Sequence, residues 1–264
     1  MSHMEIDNSK NRTVLNQVAR LGDQKYPSFE LRVILAYLVS EGHFAWCQQL
    51  MTCLSLSKSE LELPFISSHQ ALEGLERVID EFYRTGLGCD IASGYQLSDL
   101  GAVGASLAST ETLAEAMEVT QAYYDLIGSF TDIVNIADEK TFTNRLIDVS
   151  KLNPKVLHFL FELTFTGMVV LSEALSGQKI NIQTIRFTAQ LNDKERSYYQ
   201  KLFSCKIEDQ AKFNEWVISG ETLLIPVLRK SSSSEEAEQD LKLLLEELSL
   251  EQGLVDDIDC ILKG

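Results

Sequence analysis

The chain has 264 residues, 45% of them apolar and 23% charged, which is ordinary for a soluble globular protein of one or two domains and argues against disorder. Its 39 acidic and 23 basic residues leave a net charge of -16, which repels a phosphate backbone, and no basic cluster exceeds the pair Arg229-Lys230. Tight DNA binding by these residues themselves is therefore excluded.

Met1 to Met4 reads MSHM and resembles a cloning remnant, so residues 1-3 carry no functional weight, and 1-26 is expected to be remnant plus a flexible lead-in. Beyond it, helices are expected over Phe29 to Val39, His43 to Leu54 and His69 to Arg84, the last stopping at Gly86. Two helix starts are marked by capping-box spacing, Ser57 with Glu60 and Ser67 with Gln70. Asp99 to Tyr124 reads DLGAVGASLASTETLAEAMEVTQAYY, two helices separated by a Ser-Thr break. Gly101 and Gly104 allow a close backbone approach there, Ser109 is expected to cap the second helix, and Glu111 sits at its positive end.

Thr131 to Val149 changes period and reads as two short strands around Asp138 to Lys140. Pro154 then opens a helix that runs to a Gly177 stop, with apolar residues around nearly its whole circumference, so it is expected at the centre of the domain. Its apolar stretch, Val156 to Leu175, is interrupted by His158, Glu162 and Glu173, and no leader of signal type precedes it; a cytoplasmic protein without a membrane span is expected. Strands at Ile182 to Ala189 and Ala211 to Ser219 flank a helix from Asp193 to Phe203. The fold class is α+β: a helix-rich amino-terminal half, then a small mixed or antiparallel sheet flanked by helices.

Ser231 to Ser234 breaks the pattern as a turn, after which Ala237, Leu241, Leu244 and Leu248 repeat at coiled-coil spacing. That seam serves either self-association or packing on its own domain. The expected organisation is a regulatory domain over 27-230 and a turn, linker or dimerisation helix over 231-264.

Residue chemistry points away from an enzyme. Gly86-x-Gly88 lacks a third glycine at phosphate-loop spacing, and no nucleophile and base can be paired. His158 and Glu162 share a helix face at i and i+4, which reads better as a core histidine with a carboxylate than as a metal site lacking a third ligand; His43 and His69 sit at helix ends. Cys47, Cys53, Cys89, Cys205 and Cys260 are widely spaced with no Cys-x-x-Cys pair, and are expected reduced. No catalytic residue, metal or cofactor is expected. The aromatic and basic content of the sheet region offers a candidate small-molecule site: Phe142, Arg145, Phe165, Arg186, Phe187, Tyr199, Phe213 and Trp216, with the arginines able to pair a carboxylate or phosphate.

The stretch carrying Asp99, Leu100, Gly101, Gly104, Leu107, Ser109, Thr112, Leu113, Glu115, Ala116, Tyr123 and Tyr124 resembles the amino-terminal regulatory domain of AraC-type bacterial transcription regulators. The branch is the arabinose-binding-like one of ornithine-utilisation-type regulators, which is non-cupin. Ser55 to Val78 and Ile182 to Val227 match in the same order, the latter through Tyr199 and Phe203, Phe213 and Asn214, and Leu223 and Pro226. The resemblance implies a small-molecule effector, a homodimer, and DNA contact only through a helix-turn-helix domain that this chain does not contain; Gly253 to Gly264 is similar to the approach to its first helix. The sheet, not the signature stretch, is where the effector is expected.

A second reading is a stand-alone interaction module that titrates a partner through its acidic surface and the Ala237 to Leu248 seam. The reading frame beyond Gly264 separates the two: a basic continuation of about 100 residues, one further small domain, is the expected result, and a native stop codon favours the interaction module.

Overall fold

A computed structural model describes residues 25-128, 130-138, 140-228, 237 and 239-248. The amino-terminal remnant, the Ser231 to Ser234 turn, Cys260 and the Gly253 to Gly264 segment lie outside these residues.

The first layer is helical. Strand β1 (Lys25–Pro27) leads into α1 (Phe29–Ser40), α2 (Phe44–Cys53) and the short α3 (Lys58–Leu61). Strand β2 (Phe65–Ser67) pairs antiparallel with β1 and delivers the chain to α4 (Ser68–Phe82). Both expected capping boxes form, Ser57 with Glu60 and Ser67 with Gln70. After α5 (Leu87–Ala92) and a 3-10 turn (Leu97–Leu100) come α6 (Ala102–Leu107), α7 (Leu113–Ala122) and α8 (Tyr124–Ile127).

The second layer is a five-stranded mixed sheet. The expected hairpin is β3 (Asp132–Ala137) with β4 (Thr141–Ile147), paired antiparallel. Next follow the long helix α9 (Pro154–Ser176), β5 (Ile182–Arg186), α10 (Asp193–Phe203), β6 (Lys206–Glu208) and β7 (Asn214–Ser219). The strand order is β3-β4-β7-β5-β6, with β5 and β6 parallel and the other neighbours antiparallel. The last strand in sequence thus enters between the hairpin and β5.

Helix α9 joins the layers, as its all-round apolar pattern requires. Val156, Phe159, Leu160 and Leu163 enter the core of the helical layer, while Phe161, Phe165, Val169 and Leu175 enter the core under the sheet. By length and composition α9 could cross a membrane, but most of its apolar window is buried inside the protein. It is a core helix of this fold.

One buried carboxylate fixes its position. Glu162, 2% exposed, accepts the backbone N–H of Gly86 at 2.7 Å and of Gly88 at 3.1 Å, so it caps the amino end of α5. The Gly-x-Gly turn that lacked the third glycine of a phosphate loop does bind an anion, the chain's own. Gly86 takes φ +82°, and a Cβ on Gly88 would lie 2.6 Å from the Phe159 carbonyl oxygen, so the close crossing of α5 and α9 needs glycine there. Tyr199 of α10, fully buried, donates its phenol hydrogen to Glu162. Because that hydrogen is committed, His158 Nε2, 2.7 Å away, donates to the phenol oxygen. His158 and Glu162 are thus a core pair, and no cluster of three metal-ligating side chains occurs among the described residues.

The signature stretch departs from expectation at its helix start. Thr112, not Ser109, caps α7 by accepting from Glu115 N–H, and Ser109 Oγ instead donates to the Ser106 carbonyl. The reason is tertiary. Thr112 bridges Pro226, Leu113 N–H donates to the Ile225 carbonyl, and Val227 N–H donates to the Glu111 carbonyl, which holds 111-112 extended until Leu113. Gly104 does permit a close approach, since a Cβ there would clash with the Leu97 carbonyl; Gly101 instead precedes α6 at φ +54° with open space around it.

The helix at 239-248 packs on its own domain. Leu241 is fully buried in the core under the sheet, Ala237 and Leu248 are each 5% exposed, and Lys25 pairs with Glu247 at 2.9 Å. Three of the four seam residues therefore face inward. Leu243, 57% exposed, faces outward.

Two outcomes follow from these contacts. Glu162→Gln leaves at least one donor without its acceptor and is expected to lower urea stability by about 1 to 3 kcal/mol, and Tyr199→Phe by about 1 to 2. Burial and the nearby Glu162 charge push the Tyr199 phenol far above its usual range, while the unfolded phenol ionises near about pH 10. Its stability contribution is therefore intact below that pH and lost above it, and Tyr199→Phe is expected to flatten the alkaline limb of a stability titration. Leu241→Asp is expected to unfold the chain, since it buries an unpaired charge, whereas Leu243→Asp leaves the secondary structure intact by circular dichroism.

Candidate effector cavity

The eight sheet-region candidates separate onto opposite faces of the sheet. Phe142, Phe165, Phe187, Tyr199 and Trp216 are all buried in the core, where Phe165 packs edge-on to Trp216 at 5.0 Å and Phe187 lies 4.5 Å from Tyr199. Arg145, Arg186 and Phe213 belong to the outer side. Strand parity explains the split: Arg145 is an odd number of residues from Phe142, and Arg186 directly precedes Phe187.

On that outer face the arginines already have partners. Cross-strand register aligns Arg145, Glu215, Arg186 and Glu208 across β4, β7, β5 and β6. Arg145 Nε lies 2.5 Å from Glu215 Oε1, Arg186 Nη1 2.9 Å from Glu215 Oε2, and Arg186 Nε 2.8 Å from Glu208 Oε2. Arg145 also stacks over Phe213 at 4.1 Å. Hydrogen bonds donated by Lys206 and Arg186 hold the Glu208 carboxyl below its usual range, and those that Arg186 donates to Glu208 and Glu215 raise Arg186. The row is a ladder of alternating charge.

An apolar cavity lies elsewhere, between the signature helices and α9. A space of about 70 Å³ accessible to a water-sized sphere, within about 710 Å³ of non-atom volume that includes open solvent, is walled by Leu107, Leu113, Ala116 and Met117 from α6 and α7. Leu163, Gly167, Met168, Leu171 and Leu175 of α9 form the opposite wall, and Phe29, Tyr95 and Leu100 close one end. Gly167 makes room for the Tyr95 ring, which a Cβ would meet at 2.9 Å. Burial, with Glu30 and Asp99 nearby, pushes the Tyr95 phenol well above its ordinary range, so it stays neutral.

A second hollow of about 580 Å³ adjoins it and shares Met117, Thr120, Tyr124 and Met168. Its remaining walls are polar: Gln121, Asp125, Asp132 and Asn135, with Ile133 and Ala122. The pair combines an apolar interior with a few placed polar groups, the usual make-up of a small-molecule site.

The stretch read from the sequence as packing alone therefore forms one wall of this cavity, through Leu100, Leu107, Leu113, Ala116, Met117, Thr120 and Tyr124. Spacing carries part of that signal: Leu113, Ala116, Met117, Thr120 and Tyr124 recur at three and four residues along α7 and into α8. What faces them could not be read, because Met168, Leu171 and Leu175 come from a helix whose whole circumference is apolar.

Among the described residues no cysteine lines either hollow. Cys47 and Cys89 are buried, Cys53 is exposed, and burial raises the partly covered Cys205 thiol to about 11.

The family model "Arabinose-binding domain of AraC transcription regulator, N-term" matches residues 47–227. A solved structure of the transcriptional regulator CdpR from Pseudomonas aeruginosa is similar in fold, with TM-score 0.55 at 14% identity, over 78% of this chain and 59% of that one. The chain thus spans little more than half of that regulator's length. No curated protein matches. Since the family model covers well over half of the sequence, the chain belongs to the family of arabinose-binding amino-terminal domains of AraC transcription regulators.

Proposed function

We propose that the cavity between α7 and α9 takes a small-molecule effector and that its occupancy sets the position of a DNA-binding domain joined beyond residue 228. The observation that carries this reading is a backbone connection from the cavity to the exit of the domain. Leu113 and Leu175 line opposite walls, and both hold the same outgoing segment: Leu113 N–H donates to the Ile225 carbonyl at 3.0 Å, and Leu228 N–H donates to the Leu175 carbonyl at 2.9 Å. A ligand that spreads these walls moves that segment, whose next described piece is the helix at 239-248.

The effector is placed here and not at Arg145 and Arg186, because those guanidinium groups are held by Glu215 and Glu208. A coupling of about 1 to 3 kcal/mol between ligand and DNA is enough for regulation, provided the ligand prefers one of two arrangements. The regulator works in the cytoplasm as a homodimer, and self-association uses the outward Leu243 side of the last helix, since Ala237, Leu241 and Leu248 are consumed within the chain. Leu243→Asp is expected to shift sedimentation to the monomer.

The effector site is tested with the complete regulator purified from its host, using native mass spectrometry to find a retained ligand. Adding that ligand back at about 100 times its dissociation constant is expected to stabilise the protein by about 2.7 kcal/mol. Thr120→Trp, which fills the junction of the two hollows, is expected to abolish that gain. Equal stabilisation of the variant would place the effector elsewhere.

A further inference from the structure

We infer that the groove beside the last helix receives the last helix of a second copy of this chain, and that Arg32 of each copy pairs there with Asp240 of the other. This rests on the reading that the Leu243 side of that helix self-associates. It adds where the helix goes and what sets its register.

The groove holds about 480 Å³ of space accessible to a water-sized sphere and is open to solvent. One wall is the helix at 239-248, through Asp240, Leu243 and Leu244. The other is built by Arg32 of α1, Phe65 of β2, Leu100 of the 3-10 turn and Leu126 of α8. Leu241 and Leu248 anchor the helix on its own domain, so its opposite side is left to border the groove. Asp240 lies three and four residues from Leu243 and Leu244, which puts all three on one helix face.

The charges of the two walls decide the occupant. Arg32 Nη2 donates to the Asp99 carbonyl at 3.1 Å, its guanidinium's one hydrogen bond among the described residues, and it forms no ion pair there. Asp240, on the other wall, is exposed and likewise unpaired among the described residues. Two further carboxylates border the groove: Asp99, which accepts from Gln96 N–H at 2.8 Å, and the exposed Glu62. The groove thus keeps a cation and an anion on different walls, beyond ion-pair distance, with apolar side chains between them.

A fitting body offers an anion to Arg32, a cation to Asp240 and apolar surface to the leucines. The two-fold image of the groove offers all three, because in such a contact residue i meets j and j meets i. A small anion answers Arg32 alone and leaves Asp240 and Leu243 uncovered. Covering Leu243 and Leu244 of both copies supplies attraction, which two chains of charge -16 require. The two reciprocal ion pairs fix the register.

The test is sedimentation of the full chain across concentrations, with Arg32→Glu, Asp240→Arg and Leu243→Asp as variants. The wild type is expected to be a dimer. Each charge reversal alone sets like charges against each other and is expected to weaken the dimer at least about tenfold. An equimolar mixture of Arg32→Glu and Asp240→Arg is expected to recover it, because both reciprocal contacts of the mixed dimer again join opposite charges. A reversed variant that dimerises as tightly as the wild type, or a mixture that stays monomeric, overturns the pair. The Leu243 contact then stands if Leu243→Asp is a monomer. A wild type that is monomeric throughout, or a Leu243→Asp variant that remains a dimer, overturns that contact and the pair with it. Should a reversal fail to fold, Arg32→Gln and Asp240→Asn decide: each is expected to raise the dissociation constant about tenfold, and unchanged constants overturn the pair.

Discussion

The buried Glu162 carboxylate is the constraint on which this architecture depends. A charge in a dry interior is tolerable only when its hydrogen-bonding capacity is met, and here the donors come from two different elements, the amino end of α5 and Tyr199 on α10. Satisfying the charge therefore positions the helical layer and the sheet layer against one helix. The apolar faces of α9 supply attraction to both layers without specifying rotation or depth. The carboxylate supplies that specification, as polar groups in a core do when every partner is present.

The cavity follows from this fixed placement. With α5 drawn close to one stretch of α9 through Gly88, the later turns of α9, from Leu163 to Leu175, face α6 and α7. Small residues line part of that surface, Ala116 on one wall and Gly167 on the other, and the space between is not filled. The exit segment at 225-228 then closes over both walls by backbone hydrogen bonds to Glu111, Leu113 and Leu175. The family's signature stretch thus has three physical duties: it packs through Gly104, caps through Thr112, and lines the hollow.

Much of the local structure was legible because it depends on neighbours in sequence. The capping boxes at Ser57 and Ser67, the Pro154 start and Gly177 stop of α9, and the β3-β4 hairpin all obey short-range rules. Failures occurred where a distant segment competed. Ser109 lost the cap because Pro226 pairs with Thr112, and the short strands β1, β2 and β6 carry too few residues to show a period. The scatter of site candidates over two sheet faces was avoidable, since residue parity along β4 and β5 already separated Arg145 from Phe142 and Arg186 from Phe187.

Sequence alone determined the α+β class, the order of its longer elements, the family, and the net charge of -16, because composition, periodicity and capping are written within a few residues of one another. Only the tertiary structure decided where an anion is bound, which wall faces which, and that the 237-248 seam packs inward with Leu241 fully buried. Each of these joins groups far apart in the chain, and a helix that is apolar all round, like α9, presents the same pattern to every partner until a buried charge chooses among them.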